Sequence, residues 1–225
     1  MIRLYVICEG QTEESFIKEV VAPTLYERQI YLCPRLVGKP GHQGGNVKIE
    51  RIVTDARNLL AAGDAWCTTF FDFYGLPNAF PGKAQAQQSG SPDDKADCVL
   101  NAMQAALTLE LGENAMRRFI PYLQMYEFEG LLFSDPVALA QGTGDTRLAA
   151  PFQRIRAQFS TPEWINDSPH TAPAKRIQAL FPSYDKPLHG VLAAREAGLD
   201  RIRAECRRFD AWLSRIEALA DPVAA

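Results

Sequence analysis

Along the first 135 residues, short runs of strand-forming apolar residues alternate with stretches whose apolar positions recur every three or four residues. Ile2 to Cys8 is the first such run, and it stops at Glu9-Gly10-Gln11-Thr12. Gly10 permits a tight turn, Thr12 fits a helix N-cap, and Glu13 and Glu14 suit the positive end of the helix dipole. Phe16, Ile17, Val20 and Val21 mark the buried face of that helix, which Pro23 bends or ends. Ile30 to Val37 predicts a second strand, placed at a sheet edge by Pro34. A loop over Gly38 to Gly45 precedes a helix from about Asn46 to Ala62. Trp66 to Phe73 is the third β-prone run and contains Asp72. Residues 75–95, rich in Pro, Gly, Gln and Ser, predict a long surface loop of the kind that covers a site. A helix over Asp97 to Leu111 follows, then a fourth strand over Phe119 to Met125 that leads into Glu127-Phe128-Glu129.

This order predicts an α/β layer with a largely parallel, Rossmann-like sheet flanked by helices. Asp135-Pro136 reads as an N-cap with proline at the first helical position. Beyond it only helical or loop-like segments remain: 136–141, 149–158, 172–181, 188–197 and 199–218. The expected organisation is an α/β core over 1–135 and a helical C-terminal extension over 136–225, packed together as one unit.

Composition narrows the class. At 225 residues, 47% apolar and 23% charged, the chain has the balance of a folded soluble protein. Its apolar runs are too short to span a bilayer, and its first residues turn acidic too soon for a signal peptide. Cys8, Cys33, Cys67, Cys98 and Cys206 are odd in number and form no CxxC pair, which predicts reduced thiols in a cytoplasm. The formal net charge of −3 hides an asymmetry. Residues 1–150 carry 13 basic and 18 acidic side chains, whereas residues 151–225 carry 11 and 9. An acidic half that binds phosphate needs a cation to offset repulsion.

Three strands end in acid: Glu9 follows the first, Asp72 the third, and Glu127 and Glu129 the fourth. Ligands of open α/β sheets bind at the carboxyl ends of the strands, so these groups are expected to share one crevice. Clustered carboxylates repel unless protonated or neutralised. Hard oxygen donors of this kind suit Mg²⁺ or Mn²⁺, which polarises phosphoryl oxygens. The plainer reading of each acid alone is a solvated group or a cap on the next helix.

The residues Val6-Ile7-Cys8-Glu9-Gly10-Gln11-Thr12-Glu13 resemble the first motif of the TOPRIM fold, a hydrophobic strand ending in Glu-Gly. Topoisomerases, primases, RNA-maturing nucleases and nucleases of the overcoming-lysogenization-defect type share that fold. Phe71-Asp72-Phe73-Tyr74-Gly75-Leu76-Pro77 and Glu127-Phe128-Glu129-Gly130-Leu131-Leu132-Phe133-Ser134-Asp135 are similar to motifs of the bacterial domain-of-unknown-function family 4276, a TOPRIM-like group. So are Ile165 to Pro169, Thr171 to Arg176, Gly198-Leu199 and Ile202-Arg203. The resemblance implies a TOPRIM-like nuclease performing Mg²⁺- or Mn²⁺-dependent phosphodiester hydrolysis on DNA or RNA. Glu9 would be the general acid or base and a metal ligand, and Asp72 the first acid of the metal motif. Tyr74 stands at the place of that motif's second acid, which leaves Glu127 or Glu129 to supply a ligand. The resemblance also implies an ABC- or SMC-like ATPase encoded nearby and a role in phage defence. The rival reading is a non-catalytic regulatory subunit that docks on such an ATPase through a degenerate site.

Lys175 and Arg176 are candidates for phosphate contact, with Asp167 a further site candidate; the alternative is a helix capped by Thr171 with Pro173 in its first turn. Arg201, Arg203, Arg207 and Arg208 beside Phe209 and Trp212 allow nucleic-acid binding, but Glu205 and Asp210 favour a solvated amphipathic helix. His42, His170 and His189 form no local zinc motif, and no Walker motif occurs.

Overall fold

The computed structural model describes residues 1–38, 47–166, 168 and 170–221. His42 and Asp167 lie outside the described residues. The first apolar run forms strand β1 (Ile2–Cys8), followed by helix α1 (Gln11–Phe16). Gly10, not Thr12, is the N-cap of α1, and Thr12 is buried inside its first turn. The helix continues through a π-turn (Ile17–Val21) into α2 (Ala22–Leu25). Pro23 explains that irregularity, because it removes a backbone donor and crowds the carbonyl a turn before it.

Strand β2 (Ile30–Leu36), helix α3 (Ile49–Leu60) and strand β3 (Trp66–Phe70) come next. The expected loop over 75–95 is more structured than its composition suggests. It holds helix α4 (Lys83–Ala86), buries Leu76, Phe80 and Lys83, and ends where α5 (Pro92–Leu111) begins. The earlier start of α5 has a local cause: Ser91 and Asp94 form a reciprocal capping box, and Pro92 sits in the first turn. Helix α6 (Glu113–Met116) leads to β4, only Phe119–Ile120.

The expected longer fourth strand fails at Pro121, which has no N–H for the ladder. Side chains of β3 take over. The Thr69 hydroxyl accepts from the Tyr122 N–H at 3.0 Å and donates to the Tyr122 carbonyl at 2.7 Å. The Thr68 hydroxyl donates to the Ile120 carbonyl and accepts from the Trp212 indole at 2.9 Å. Parallel pairing resumes briefly further along, where Asp72 bridges Gln124.

The remainder is helical: α7 (Glu129–Leu132), α8 (Pro136–Thr143), α9 (Ala149–Arg156), α10 (Pro173–Leu180), α11 (Val191–Ala197), α12 (Leu199–Glu205) and α13 (Arg207–Glu217). A π-turn over Lys186–Gly190 precedes α11. Asp135 caps α8 as expected, accepting from the N–H groups of Val137 and Ala138. Gly142 of α8 lies so close to the Ala193 backbone of α11 that a side chain there would collide.

The sheet has the order β2-β1-β3-β4 and every pairing is parallel, with Pro34 on an edge strand. Side chains alternate between its faces. Leu4, Val6 and Cys8 join a core shared with Phe16, Phe128, Phe133, Phe152, Phe209 and Trp212. Ile7 faces the other core, with Ile52, Phe71, Val99 and Met103. The C-terminal helices therefore bury apolar surface against the same sheet face as the N-terminal helix. Among the described residues, no helix is long and apolar enough to cross a membrane.

Candidate functional site

The connections leave β1 and β3 toward opposite edges of the parallel sheet, since β2 lies beside β1 on one side and β4 beside β3 on the other. That switch point opens a crevice at the carboxyl ends of the two central strands. Glu9 and Asp72 occupy it. Glu9 donates its N–H to the Phe70 carbonyl at 3.3 Å, and its Oε2 accepts the Asp72 N–H at 3.2 Å. The Glu9 carboxylate lies against Gly75, where any Cβ would overlap it. A Cβ at Gly75 would displace the Glu9 carboxylate, so glycine there leaves that side chain its place.

Asp72 is 8% exposed, and its Oδ1 is buried with no hydrogen-bond partner. Burial raises its pKa well above the usual carboxylate range, and Glu13, Glu9 and Glu129 raise it further against the pull of Lys186. Glu13 reaches the same cluster because α1 turns back over the strand end. It is buried, and burial and then Glu9 hold its pKa up, while Lys186 opposes them. Glu9 is likewise raised, chiefly by burial, against the Asp72 N–H and Lys186.

The two acids after β4 diverge. Phe128 and Glu129 are helical, so adjacent acids point apart. Glu127 Oε2 accepts from the Ala174 N–H at 2.9 Å, at the start of α10. That helix has Ala172 at its N-cap, and Thr171 bonds within its own loop instead, accepting from the Ser168 N–H. Glu129 is fully buried and meets the Lys186 ammonium, 2.9 Å from Oε1 and 3.1 Å from Oε2. Only Oε2 is well aligned to accept. Burial pushes the Glu129 pKa to about 6 in spite of Lys186. Lys186 is raised as well, in its case toward the charged form. Burial disfavours its charge, but Glu129, Asp72 and Glu127 together hold it above the ordinary lysine range. The two shifts are compatible: several carboxylates add up to outweigh burial at Lys186, whereas at Glu129 burial and Glu127 together outweigh the single lysine.

A second cation borders the cluster. Lys83 is 3% exposed, donates to the Phe73 carbonyl and lies 3.2 Å from the centre of the Phe73 ring. Burial lowers its pKa to about 7, with Glu9 opposing. Neither lysine was singled out by sequence reasoning, and nothing local marks them: Lys186 lies 57 positions from Glu129. Glu13 carries a faint signal, four residues beyond Glu9 in the first turn of a helix that follows a strand.

Lys175 and Arg176 sit on α10. Lys175 is exposed and donates to Gln178 at 3.3 Å. Arg176 Nε donates to the Thr171 carbonyl at 2.7 Å, and its guanidinium lies over Phe159. The basic stretch of α12 and α13 is committed to internal ion pairs, Arg203 with Asp210 and Glu217, Arg208 with Asp93 and Asp97. Ile202, Phe209, Trp212 and Leu213 are buried, as an amphipathic helix requires. Buried Glu163 accepts both the Arg208 and Phe209 N–H groups at 3.0 Å and so caps α13. All five cysteines are free thiols, and burial raises the pKa of Cys8, Cys67 and Cys206.

The donors at the switch point are carboxyl oxygens, the orphaned Asp72 Oδ1 among them, and they suit a hard divalent cation in kind. Among the described residues, no three acidic, His or Cys side chains are already gathered closely enough to ligate one ion. A cation would have to draw them together.

The fold and crevice define a parallel α/β protein with a buried acidic cluster at its topological switch point. The family model for the domain of unknown function DUF4276 matches residues 8–217, so the chain belongs to that family. No curated protein and no solved structure matches it significantly.

Proposed function

We propose that the chain is a divalent-metal-dependent phosphodiester hydrolase, a TOPRIM-like nuclease acting on DNA or RNA. The observation that carries this reading is the orphaned, buried Oδ1 of Asp72, set among Glu9, Glu13 and Glu129 with too few cations to balance them. The resemblance of the Glu9-Gly10 strand end to the first TOPRIM motif also supports it. Asp72 and Glu9 would hold the cation, with Glu13 or Glu129 joining them. Bound Mg²⁺ or Mn²⁺ would polarise a phosphoryl oxygen and offset charge on the leaving oxygen. Glu9 Oε2, which accepts the Asp72 N–H, would take or return a proton at the strand end. Lys186 restrains Glu129, and Lys83 adds positive charge near Glu9 when it is protonated. The test is cleavage of mixed DNA and RNA substrates with Mg²⁺ or Mn²⁺, with and without any adjacently encoded ATPase. Glu9→Gln is expected to reduce cleavage at least roughly 10²-fold, the scale of a lost electrostatic catalytic group. Metal-dependent cleavage that survives the substitution would sink the assignment.

A second reading is favoured by the engagement of Glu129 with Lys186 and by the absence of three gathered ligands among the described residues. In it the chain is a regulatory subunit of an ABC- or SMC-like ATPase in phage defence. Stable co-purification with that ATPase, no cleavage under any condition and no metal-induced rise in melting temperature would establish it.

A further inference from the structure

Lys186 enters the acidic crevice from the surface. It opens the π-turn Lys186–Gly190, its neighbours Asp185, Pro187 and Leu188 are exposed, and its own side chain is 40% exposed. The backbone of that turn is pinned. Asp185 accepts the Leu188 N–H at 2.9 Å, the Asp185 N–H donates to His189 Nδ1 at 2.8 Å, and the His189 N–H returns to the Asp185 carbonyl at 2.9 Å. Gly190 lies against Phe128 and Thr12, which directly precede Glu129 and Glu13. The freedom that remains is in the flexible stem of the lysine. Lys83, buried against the Phe73 ring, has no such exit.

Glu129 is the opposite case, fully buried and fixed in α7. The Lys186 ammonium sits astride its carboxylate, near both oxygens, which is the position of a small cation rather than of a donor aimed at one lone pair. Its charge serves Glu129 and Asp72 together, but its N–H groups leave Glu129 Oε1 and Asp72 Oδ1 buried with no hydrogen bond. A divalent cation can use both oxygens without donor alignment, and it brings twice the charge. We infer that Lys186 holds the place on Glu129 that a divalent cation takes, and that the two exchange. The cation binds Glu129 together with Asp72, and the ammonium swings out to solvent on its stem. This inference deepens the metal-dependent reading, rests on it for the ion, and names Glu129 as the acid that joins Asp72 and Glu9. It also gives a physical reason why no three ligands are gathered among the described residues: an ammonium is lodged on one of them.

The experiment titrates the full chain with Mn²⁺, read by the electron paramagnetic resonance signal of the free ion, for wild type and Lys186→Met. No nucleic acid is present, so cleavage does not enter. If the ammonium rests on Glu129 in about nine molecules of ten or more, Mn²⁺ finds the place free in about one of ten at most. Removing the competitor is then expected to tighten apparent Mn²⁺ binding at least about tenfold. Because Lys186→Met also strands Glu129, wild type is examined in parallel by timed reductive methylation read by mass spectrometry. Saturating Mn²⁺ is expected to speed modification of Lys186 by up to about the same factor. Lys18, paired with Glu14 at the surface, should keep its rate. Should Lys186→Met fail to fold, the methylation decides alone. Mn²⁺ held no more tightly by Lys186→Met, or held by wild type with Lys186 still protected, overturns the exchange and leaves the metal reading standing. No Mn²⁺ binding by either form overturns both. Exchange without cleavage of any nucleic acid would refute the nuclease reading and leave the exchange standing.

Discussion

Replacing Asp72 by asparagine should stabilise this protein at alkaline pH. The carboxyl is 8% exposed, one of its oxygens has no donor, and three other acids raise its pKa. A carboxyl whose folded pKa lies above its unfolded value binds more protons folded than unfolded. Stability then falls as pH rises from the unfolded value, roughly 3.9 for Asp, through the folded one. Each unit of that difference removes about 1.4 kcal/mol above the window. An unsatisfied buried polar oxygen is a liability of about 1–3 kcal/mol, and the amide keeps the shape while discarding the charge. Asp72→Asn is therefore expected to be about 1–3 kcal/mol more stable at pH 8 in EDTA. For a chain of this size that is a rise in Tm of about 2–4 °C per kcal/mol. Near pH 3, where both forms are neutral, the advantage should vanish. Added Mn²⁺ should reverse the order, since a ligand at a hundred times its Kd stabilises only the form that binds it, by about 2.7 kcal/mol. Melting curves across pH 3–9, with and without Mn²⁺, measure all of this. An Asp72→Asn protein that melts lower at pH 8 in EDTA would refute the reasoning, because it would mean the carboxylate is well paired.

Two further outcomes follow from the same cluster. Gly75→Ala places a Cβ inside the Glu9 carboxylate, and the displaced side chain should lose the Asp72 N–H; metal-dependent cleavage should fall roughly 10²-fold while the far-ultraviolet circular dichroism is retained. Lys186→Ala strands Glu129 in the core, and urea unfolding should show a loss of about 2–4 kcal/mol at pH 8. That loss should shrink toward pH 5, since burial already raises the Glu129 pKa, the loss of Lys186 raises it further, and the carboxyl then discards its charge by taking a proton. A loss of the same size at both values would contradict it.

Backbone chemistry and apolar period determined much of this protein without help from the fold. The runs at Ile2–Cys8 and Ile30–Val37, the edge position of Pro34, the Asp135 cap and the buried face of the last helices depend on neighbours a few positions apart, and they were legible as such, the second strand ending one residue earlier at Leu36. Glu9 and Asp72 were legible because a strand end is a place along the chain. Where short-range signals competed, tertiary context decided. Gly and Pro in 75–95 suggested an open loop, but Phe80 and Lys83 are buried there. Met125 belongs to a β-prone run, but Pro121 ended the strand and threonine hydroxyls replaced its ladder. The division of labour between Glu127 and Glu129 was open in the sequence and was settled by a helical turn and by partners 47 and 57 positions away. The electrostatics belong to the fold alone. A carboxylate is buried or paired only through segments brought together from distant parts of the chain, so Glu13, Lys83 and Lys186 became part of the site only when the helices closed over the sheet.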